Sequence, residues 1–349
     1  MFSLIMVKFS ALFNVMSPLY WLIFGCVFFK GLVGACGISV LYNLLRVYNF
    51  VQNSNDSDSG NGSKPRSSSL GTSLRGNWRS ALQFWILTVL LSLMGSRVFS
   101  LIVLEFSLRA VSTWASAGLD ASGRGLDMIL IQSQFSLGCS LTGTLIFLQQ
   151  RAPHSSLSLF LAAALSWKLA SLSHSLWIHV ARLYPLHSTK QYCGKCITLL
   201  TSGHTILASL QRAVVLAFAV ASVASTATVY DHFLSQKDAM KFWTLLTLCY
   251  IMLLVYIQED EHRQTGTAAL LHSVVMRLGA LLVLMLAMGY WSDVFQILIA
   301  FLGEAVCLLP SWDLLQALLK EEKEESSLSR RDECSSHKGT TIKTSSRGR

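Results

Sequence analysis

Long apolar runs without a charged residue are the feature that most constrains this chain. An α-helix needs about 20 largely apolar residues to cross a hydrocarbon core about 30 Å thick. Residues 128–150 and 213–230 contain no charged side chain, and neither do residues 242–258, which carry Trp243 and Tyr256 near their ends. Aromatic side chains at such positions suit the two membrane interfaces. Because hydrophobic residues make up 52% of the chain and charged ones only 13%, we expect a membrane protein.

Further apolar runs are each interrupted by a charged residue. They are residues 19–47 with Lys30, 81–104 with Arg97, 157–180 with Lys168, 268–291 with Arg277, and 294–310 with Glu304. Together the runs predict an all-α fold, a polytopic membrane helix bundle with about seven to eight hydrophobic segments. Only Ser292 and Asp293 separate the last two runs, so the last one either returns in a tight hairpin or is re-entrant or interfacial. We expect that it does not cross fully.

Lysine and arginine residues indicate which side of the membrane the loops face. They are frequent between the first two runs and again in the tail after Pro310, which predicts that both regions are cytoplasmic. That arrangement requires an even number of crossings between them, whereas the runs give about seven. At least one run is therefore not a single simple crossing. It is the last one, or else residues 81–119 or 196–230 hold two passes.

The sequence divides into residues 1–310, a helical transmembrane domain, and residues 311–349, a short amphipathic helix followed by a disordered basic tail. Within the first part, residues 52–72 are rich in Ser and Asn and predict a flexible loop. Asn55 and Asn61 begin glycosylation acceptor tripeptides, which act only in the lumen and so conflict with the charge bias. The net charge of +9 favours contact with membrane lipids and not with nucleic acid.

Ionisable side chains within the apolar runs are the candidate functional residues. Each costs roughly 2.5–3.5 kcal/mol at mid-membrane by insertion scales, so the default hypothesis is an intramembrane polar site. The alternative is that long basic side chains reach the headgroups, which we favour for Lys30 and Arg277. The candidate site comprises Arg97, Glu105, Arg109, Lys168, Arg277 and Glu304.

Helical spacing groups these residues into polar stripes. Arg97, Glu105 and Arg109 share one helix face, and the last two are four residues apart and able to pair. Three other stripes are Gln132-Ser136-Ser140-Thr144, Lys168-Ser171-Ser175-His179 and Asp293-Gln296-Glu304. We expect all of them to turn inward. The resulting polar interior either holds helices together by hydrogen bonds or forms a solvated path or ligand cavity.

Other patterns carry less information. Small-residue faces at Gly31, Gly34 and Gly37 and at Ala213, Ala217, Ala221 and Ser225 allow close helix approach and are candidate faces for homo-oligomers. Cys193 and Cys196 form a CxxC that, with His187 and His204, is a weak candidate for a metal or redox site. HExxH, GxSxG and nucleotide-binding strings do not occur in the sequence, so we expect neither enzymatic activity nor a cofactor.

Three segments resemble characteristic strings of a known vertebrate family. They are residues 95–112 (GSRVFSLIVLEFSLRAVS), 179–196 (HVARLYPLHSTKQYCGKC) and 240–250 (MKFWTLLTLCY). They resemble the transmembrane protein 82 family, and the resemblance extends from about Gly31 to about Leu315, departing in the tail and the Ser/Asn-rich loop. It implies a multi-pass membrane protein and supplies no catalytic residues.

Two function hypotheses follow from these patterns. The first is an integral multi-pass membrane protein with a transporter, channel or lipid-handling role, in which Arg97, Lys168 and Glu304 bind an ion or a headgroup. The second is a structural or partner-recruiting membrane protein without a transport path, which would use its small-residue faces and basic tail. A polar cavity reaching Lys168 would favour the first hypothesis, and a tightly packed bundle would favour the second.

Overall fold

The computed structural model describes residues 18–59, 76–117, 129–151, 155–190, 193–232, 267–288 and 291–311, with scattered positions between 240 and 251. These residues form helices, and no strand occurs among them, which confirms the all-α prediction. The helices are α1 (Pro18–Ser59), α2 (Gly76–Leu93), α3 (Ser96–Ala117), α4 (Gln134–Arg151), α5 (Ser155–Lys190), α6 (Gly194–His232), α7 (Thr267–Met288) and α8 (Trp291–Ser311).

Helix α1 lies at the centre of one side of the bundle, where it packs on α2, α4 and α5, while α3, α4 and α6 contact one another on the other side. Glycines permit the close approach of α1. A Cβ at Gly31 would overlap Ser92, and one at Gly34 would overlap Thr142, so neither position has room for a side chain. This glycine face is therefore filled by α2 and α4 of the same chain.

Membrane-spanning length and composition are met by Gly25–Gln52, Ser156–Arg182, Thr205–Tyr230 and Trp291–Ser311. A fifth candidate is the pair Arg79–Leu93 and Ser96–Ser112, if the two helices count as one broken span. Several apolar helices of this kind support a multi-pass membrane protein. The predicted count of seven to eight segments is not confirmed among the described residues.

The predicted straight span over residues 81–104 is wrong. The chain bends by 111° between α2 and α3, so the two helices form one broken span or a re-entrant loop, and the alternative of two passes in residues 81–119 is not confirmed. A helix break exposes backbone N–H groups, and the Gly95 N–H donates to the Gln296 side chain of α8 at 2.7 Å. The bend is thus stabilised by a residue that is distant in sequence.

Other predicted segments differ at their ends. Residues 129–150 are not one continuous helix, since a turn at Ser133 precedes α4, and α4 is not among the candidate spans of the described residues. The last run is a continuous helix of 21 residues, long and apolar enough to cross, whereas α7 contributes only the shorter apolar stretch Val274–Leu284. Residues 52–59 continue α1, so the predicted loop begins later and Asn55 is helical. Extending an existing helix avoids the cost of nucleation.

Several predictions lie outside the described residues. These are Asn61 and the rest of its loop, most of the run 242–258, and the amphipathic helix and tail after Ser311. The side chains of His187, Cys196 and His204 are also outside the described set.

Candidate intramembrane charge site

Three charged side chains from three helices meet inside the bundle. The Arg277 guanidinium of α7 lies with Nε 3.1 Å from Oε2 of Glu105 on α3. Its Nη2 donates to Oε1 of Glu304 on α8. Arg277 is 1% exposed, Glu105 4% and Glu304 2%, and we call the three residues the charge triad. The expectation that Arg277 reaches a membrane interface is therefore wrong.

The charge triad forms because each charge compensates another. An isolated buried ion is very costly, and a close counter-charge with good hydrogen bonds repays most of that cost. The compensation is incomplete, however. Within the described part of the chain, Glu105 Oε1, Glu304 Oε2 and Arg277 Nη1 are buried and have no hydrogen-bond partner. The site therefore retains buried hydrogen-bonding capacity that a proton, an ion or water can use.

One face of α4 borders the charge triad. The side chain of Cys139 on α4 is fully buried near Arg277 and Glu304, so this part of α4 lies beside them. Ser136, one turn earlier on the same face, is buried with a hydroxyl that makes no hydrogen bond to any described residue. The ring of Phe135 packs directly on Gly303, where a Cβ would overlap it. This glycine lets α8 approach α4 closely enough to present Glu304 to the interior.

The predicted stripe on α3 extends from the triad in both directions. One turn beyond Glu105, the Arg109 guanidinium lies 5.8 Å from the centre of the Phe106 ring. Farther along, the Ser112 and Tyr250 hydroxyls are 3.0 Å apart. The residues from Arg97 to Ser112 cover about 22 Å along the helix axis, at about 1.5 Å per residue.

At the other end of α3, Arg97 is paired with a carboxylate. Its Nη1 lies 3.5 Å from Oδ2 of Asp293 on α8. The Arg97 side chain is 41% exposed, whereas that of Asp293 is 10% exposed. Because Asp293 is near the start of α8, Arg97 lies at the rim of the site, just after the bend.

Lys168 lies apart from the site, which corrects the sequence prediction. Helix α5 packs its other face on the bundle, so Lys168, Ser171 and Ser175 are exposed. The buried face of α5 consists of small and apolar residues, including Ala163, Ala170 and Ser173, and Ser173 accepts a hydrogen bond from Asn43 of α1. Small residues allow close packing, which decides the orientation of α5. By contrast, the stripes on α4 and α8 face inward as predicted.

For the CxxC candidates, the structure describes one contact, which is made by Cys193. Cys193 Sγ lies 3.2 Å from Nε2 of His179. Among the residues that the structure describes, no group of three or more His, Cys, Asp or Glu side chains could hold a metal ion. Sequence reasoning listed neither Asp293 as a site residue nor Cys139 as a neighbour. The inward stripe on α8 was the signal for Asp293, whereas no sequence signal indicated the position of Cys139.

The comparisons with known proteins agree with this architecture. No solved structure matches the chain. The family described as transmembrane protein 82 matches residues 25–329, which include the three resembling strings and every residue of the site. Because this match covers most of the sequence, the chain belongs to the transmembrane protein 82 family.

Proposed function

We propose that the protein translocates protons across its membrane, with the charge triad as the proton-binding site. The observation that carries this proposal is that two carboxylates share one guanidinium inside the bundle. Two negative charges against one positive charge give the triad itself a net charge of −1, and the Arg109 guanidinium one turn away also attracts Glu105. A net charge is costly in a low-dielectric interior, and the uptake of one proton by either carboxylate removes it.

A proton fits the site better than a metal cation does. Metal cations that prefer oxygen require several oxygen ligands, and a nearby guanidinium repels them. The triad offers Glu105 Oε1 and Glu304 Oε2 as buried oxygens without a hydrogen bond among the described residues. A proton needs only one of them, and the protonated carboxyl can then donate a hydrogen bond to a neighbour.

The polar residues along α3 support access to the triad. The partly exposed Arg97, paired with the buried Asp293, lies at one end, and Arg109 and the Ser112–Tyr250 hydroxyl pair lie at the other. Chains of ionisable and hydroxyl side chains across a membrane are typical of proton relays.

Proton flux in vesicles tests the proposal. The full-length protein is reconstituted with a pH-sensitive dye inside, and a potassium diffusion potential drives protons inward. We expect wild-type flux above that of protein-free vesicles, and Glu304→Gln to reduce it to that background. Lys168→Leu is the matched control, because it removes another charge from an apolar helix without touching the triad, and it should retain the flux.

Two outcomes would overturn the proposal. One is a wild-type flux equal to that of protein-free vesicles under both a potential and a pH gradient. The other is a Glu304→Gln flux equal to wild type. Reconstituted yield and elution volume of each variant distinguish lost flux from lost folding.

The alternative, a partner-recruiting protein, is supported by a separate observation, the outward-facing Lys168.

A further inference from the structure

Lys168 lies near the middle of a membrane span. It is 12 residues after the start and 14 before the end of Ser156–Arg182, or about 18 Å and 21 Å along the helix axis. With Arg182 held at one interface of a core about 30 Å thick, Lys168 lies about 9 Å from the other interface, and with Ser156 held there it lies about 12 Å away. Lys168 therefore lies inside the hydrocarbon core at either limit.

The same residue lies on the outer surface of the bundle. Its neighbours on that face are exposed as well, with Leu165 71%, Leu169 55% and Leu172 57% exposed. We call Leu161, Leu165, Lys168, Leu172 and Ser175 the outer face of α5, since these residues recur at three- and four-residue intervals. This face places an ammonium group against lipid, where a charge is strongly disfavoured.

Neither lipid headgroups nor the described helices of this chain supply a counter-charge at that depth. At these limits the nearer interface is about 9–12 Å from Lys168 along the helix axis, and a lysine stem is shorter than that. The carboxylates of Glu105, Asp293 and Glu304, which the structure describes in the apolar helices, are all buried. The described helices of a second copy would therefore bring no outward carboxylate, and a symmetric contact would bring two ammonium groups together.

We propose that the outer face of α5 binds a transmembrane helix of a partner protein that carries an Asp or Glu side chain near mid-membrane. Charge complementarity selects this occupant, because an intramembrane carboxylate removes the cost that lipid imposes on Lys168. Ala164 and Ser171 are exposed beside Lys168 and are small enough to let a second helix approach closely. The proposal does not depend on proton translocation.

A synthetic host helix tests the proposal directly. The probe is a polyleucine transmembrane peptide with one central Glu and a terminal fluorophore, and the matched peptide has Leu at that position. The full-length protein carries a donor dye and is reconstituted in neutral phosphatidylcholine vesicles. Energy transfer then reports association within the bilayer.

We expect the Glu peptide to associate about tenfold more tightly than the Leu peptide. Lys168→Leu should abolish that preference, and Lys168→Arg should keep it, because the charge and its depth are retained. Lys168→Glu should reverse the preference towards a peptide with a central Lys. Arg212→Leu, which removes an exposed charge from α6, should leave the preference intact.

Several results would overturn the proposal. They are equal association of the Glu and Leu peptides, a preference that survives Lys168→Leu, and self-association of the protein that Lys168→Leu removes. Binding of a spin-labelled anionic lipid that depends on Lys168 and displaces the Glu peptide would also overturn it, since a lipid would then be the occupant.

Discussion

Arg277 and Lys168 both interrupt long apolar helices, yet they face opposite environments. Arg277 is 1% exposed and bridges Glu105 and Glu304, which belong to two other helices. Lys168 is exposed on a helix whose other face packs on the bundle. The difference teaches that a charge within an apolar run is not assigned to the interior by its depth alone. Packing decides which face of a helix turns inward, and a charge on the inward face needs a counter-charge from a neighbouring helix.

The largest expected effect comes from removing the shared cation of the charge triad. Arg277→Leu leaves two buried carboxylates without their partner, so we expect a loss of about 3–5 kcal/mol in the free energy of unfolding. Lys168→Leu, the matched control, leaves no buried charge and should not lower that free energy. Unfolding in mixed micelles titrated with a denaturing detergent measures both. Equal losses for the two variants would contradict the comparison between interior and outer face.

A triple variant sharpens this prediction. Replacing Glu105, Arg277 and Glu304 together with Met removes all three charges and keeps apolar volume. Replacing a complete buried ionic group in this way is often neutral or stabilising, so the triple variant should recover most of the stability that Arg277→Leu loses. Proton flux should stay at background in this variant, which separates the stability of the bundle from the proposed activity.

The second largest expected effect on stability comes from the close packing beside the charge triad. A Cβ at Gly303 would overlap the Phe135 ring, so Gly303→Ala should lower the free energy of unfolding by about 1–3 kcal/mol. Gly279, two residues from Arg277, has nothing within 4 Å of such a Cβ. Gly279→Ala should raise stability by about 0.5–1 kcal/mol through helix propensity. The same detergent titration measures the stability of both variants. If Gly279→Ala is destabilised and Gly303→Ala is unchanged, the helices do not pack at Gly303 as described.

The spacing of charges within one helix could be predicted from the sequence, but contacts between helices could not. Arg97, Glu105 and Arg109 fall on one face because helical periodicity alone places them there. The partners of Arg277 lie 172 residues away at Glu105 and 27 residues away at Glu304, since 277 − 105 is 172. Nothing in the local pattern around Arg277 indicates either contact. Its burial was therefore missed.

The orientation of α5 was misjudged for a different physical reason. Serines lie on both of its faces, so the polar stripe with Lys168 and the packed stripe with Ala163, Ala170 and Ser173 look alike in sequence. Close packing on α1 favours the small residues, and that contact turns Lys168 outward. The rule that polar residues face inward failed where packing opposed it.

Two alanines on α5 test that orientation. Ala170 is 8% exposed and packs in the interface with α1, so Ala170→Leu should lower the free energy of unfolding by about 1–2 kcal/mol by overpacking. Ala164 is exposed on the opposite side, so Ala164→Leu should have little effect. Detergent-induced unfolding of both variants gives the answer. The reverse order of effects would mean that α5 presents its other face to the bundle.

The smallest expected effect on stability is at Arg97, whose exposure lies between those of Arg277 and Lys168. Arg97 pairs with Asp293 at 3.5 Å but is 41% exposed, so solvent and headgroups screen the pair. Arg97→Gln should therefore cost only about 0.2–1 kcal/mol, and raising the salt concentration should reduce the difference from wild type. Arg277→Leu serves as the contrast, because salt does not reach the buried triad and its loss should be independent of salt. If Arg97→Gln instead costs as much as Arg277→Leu at every salt concentration, the pair is part of the interior, and access to the triad must begin elsewhere.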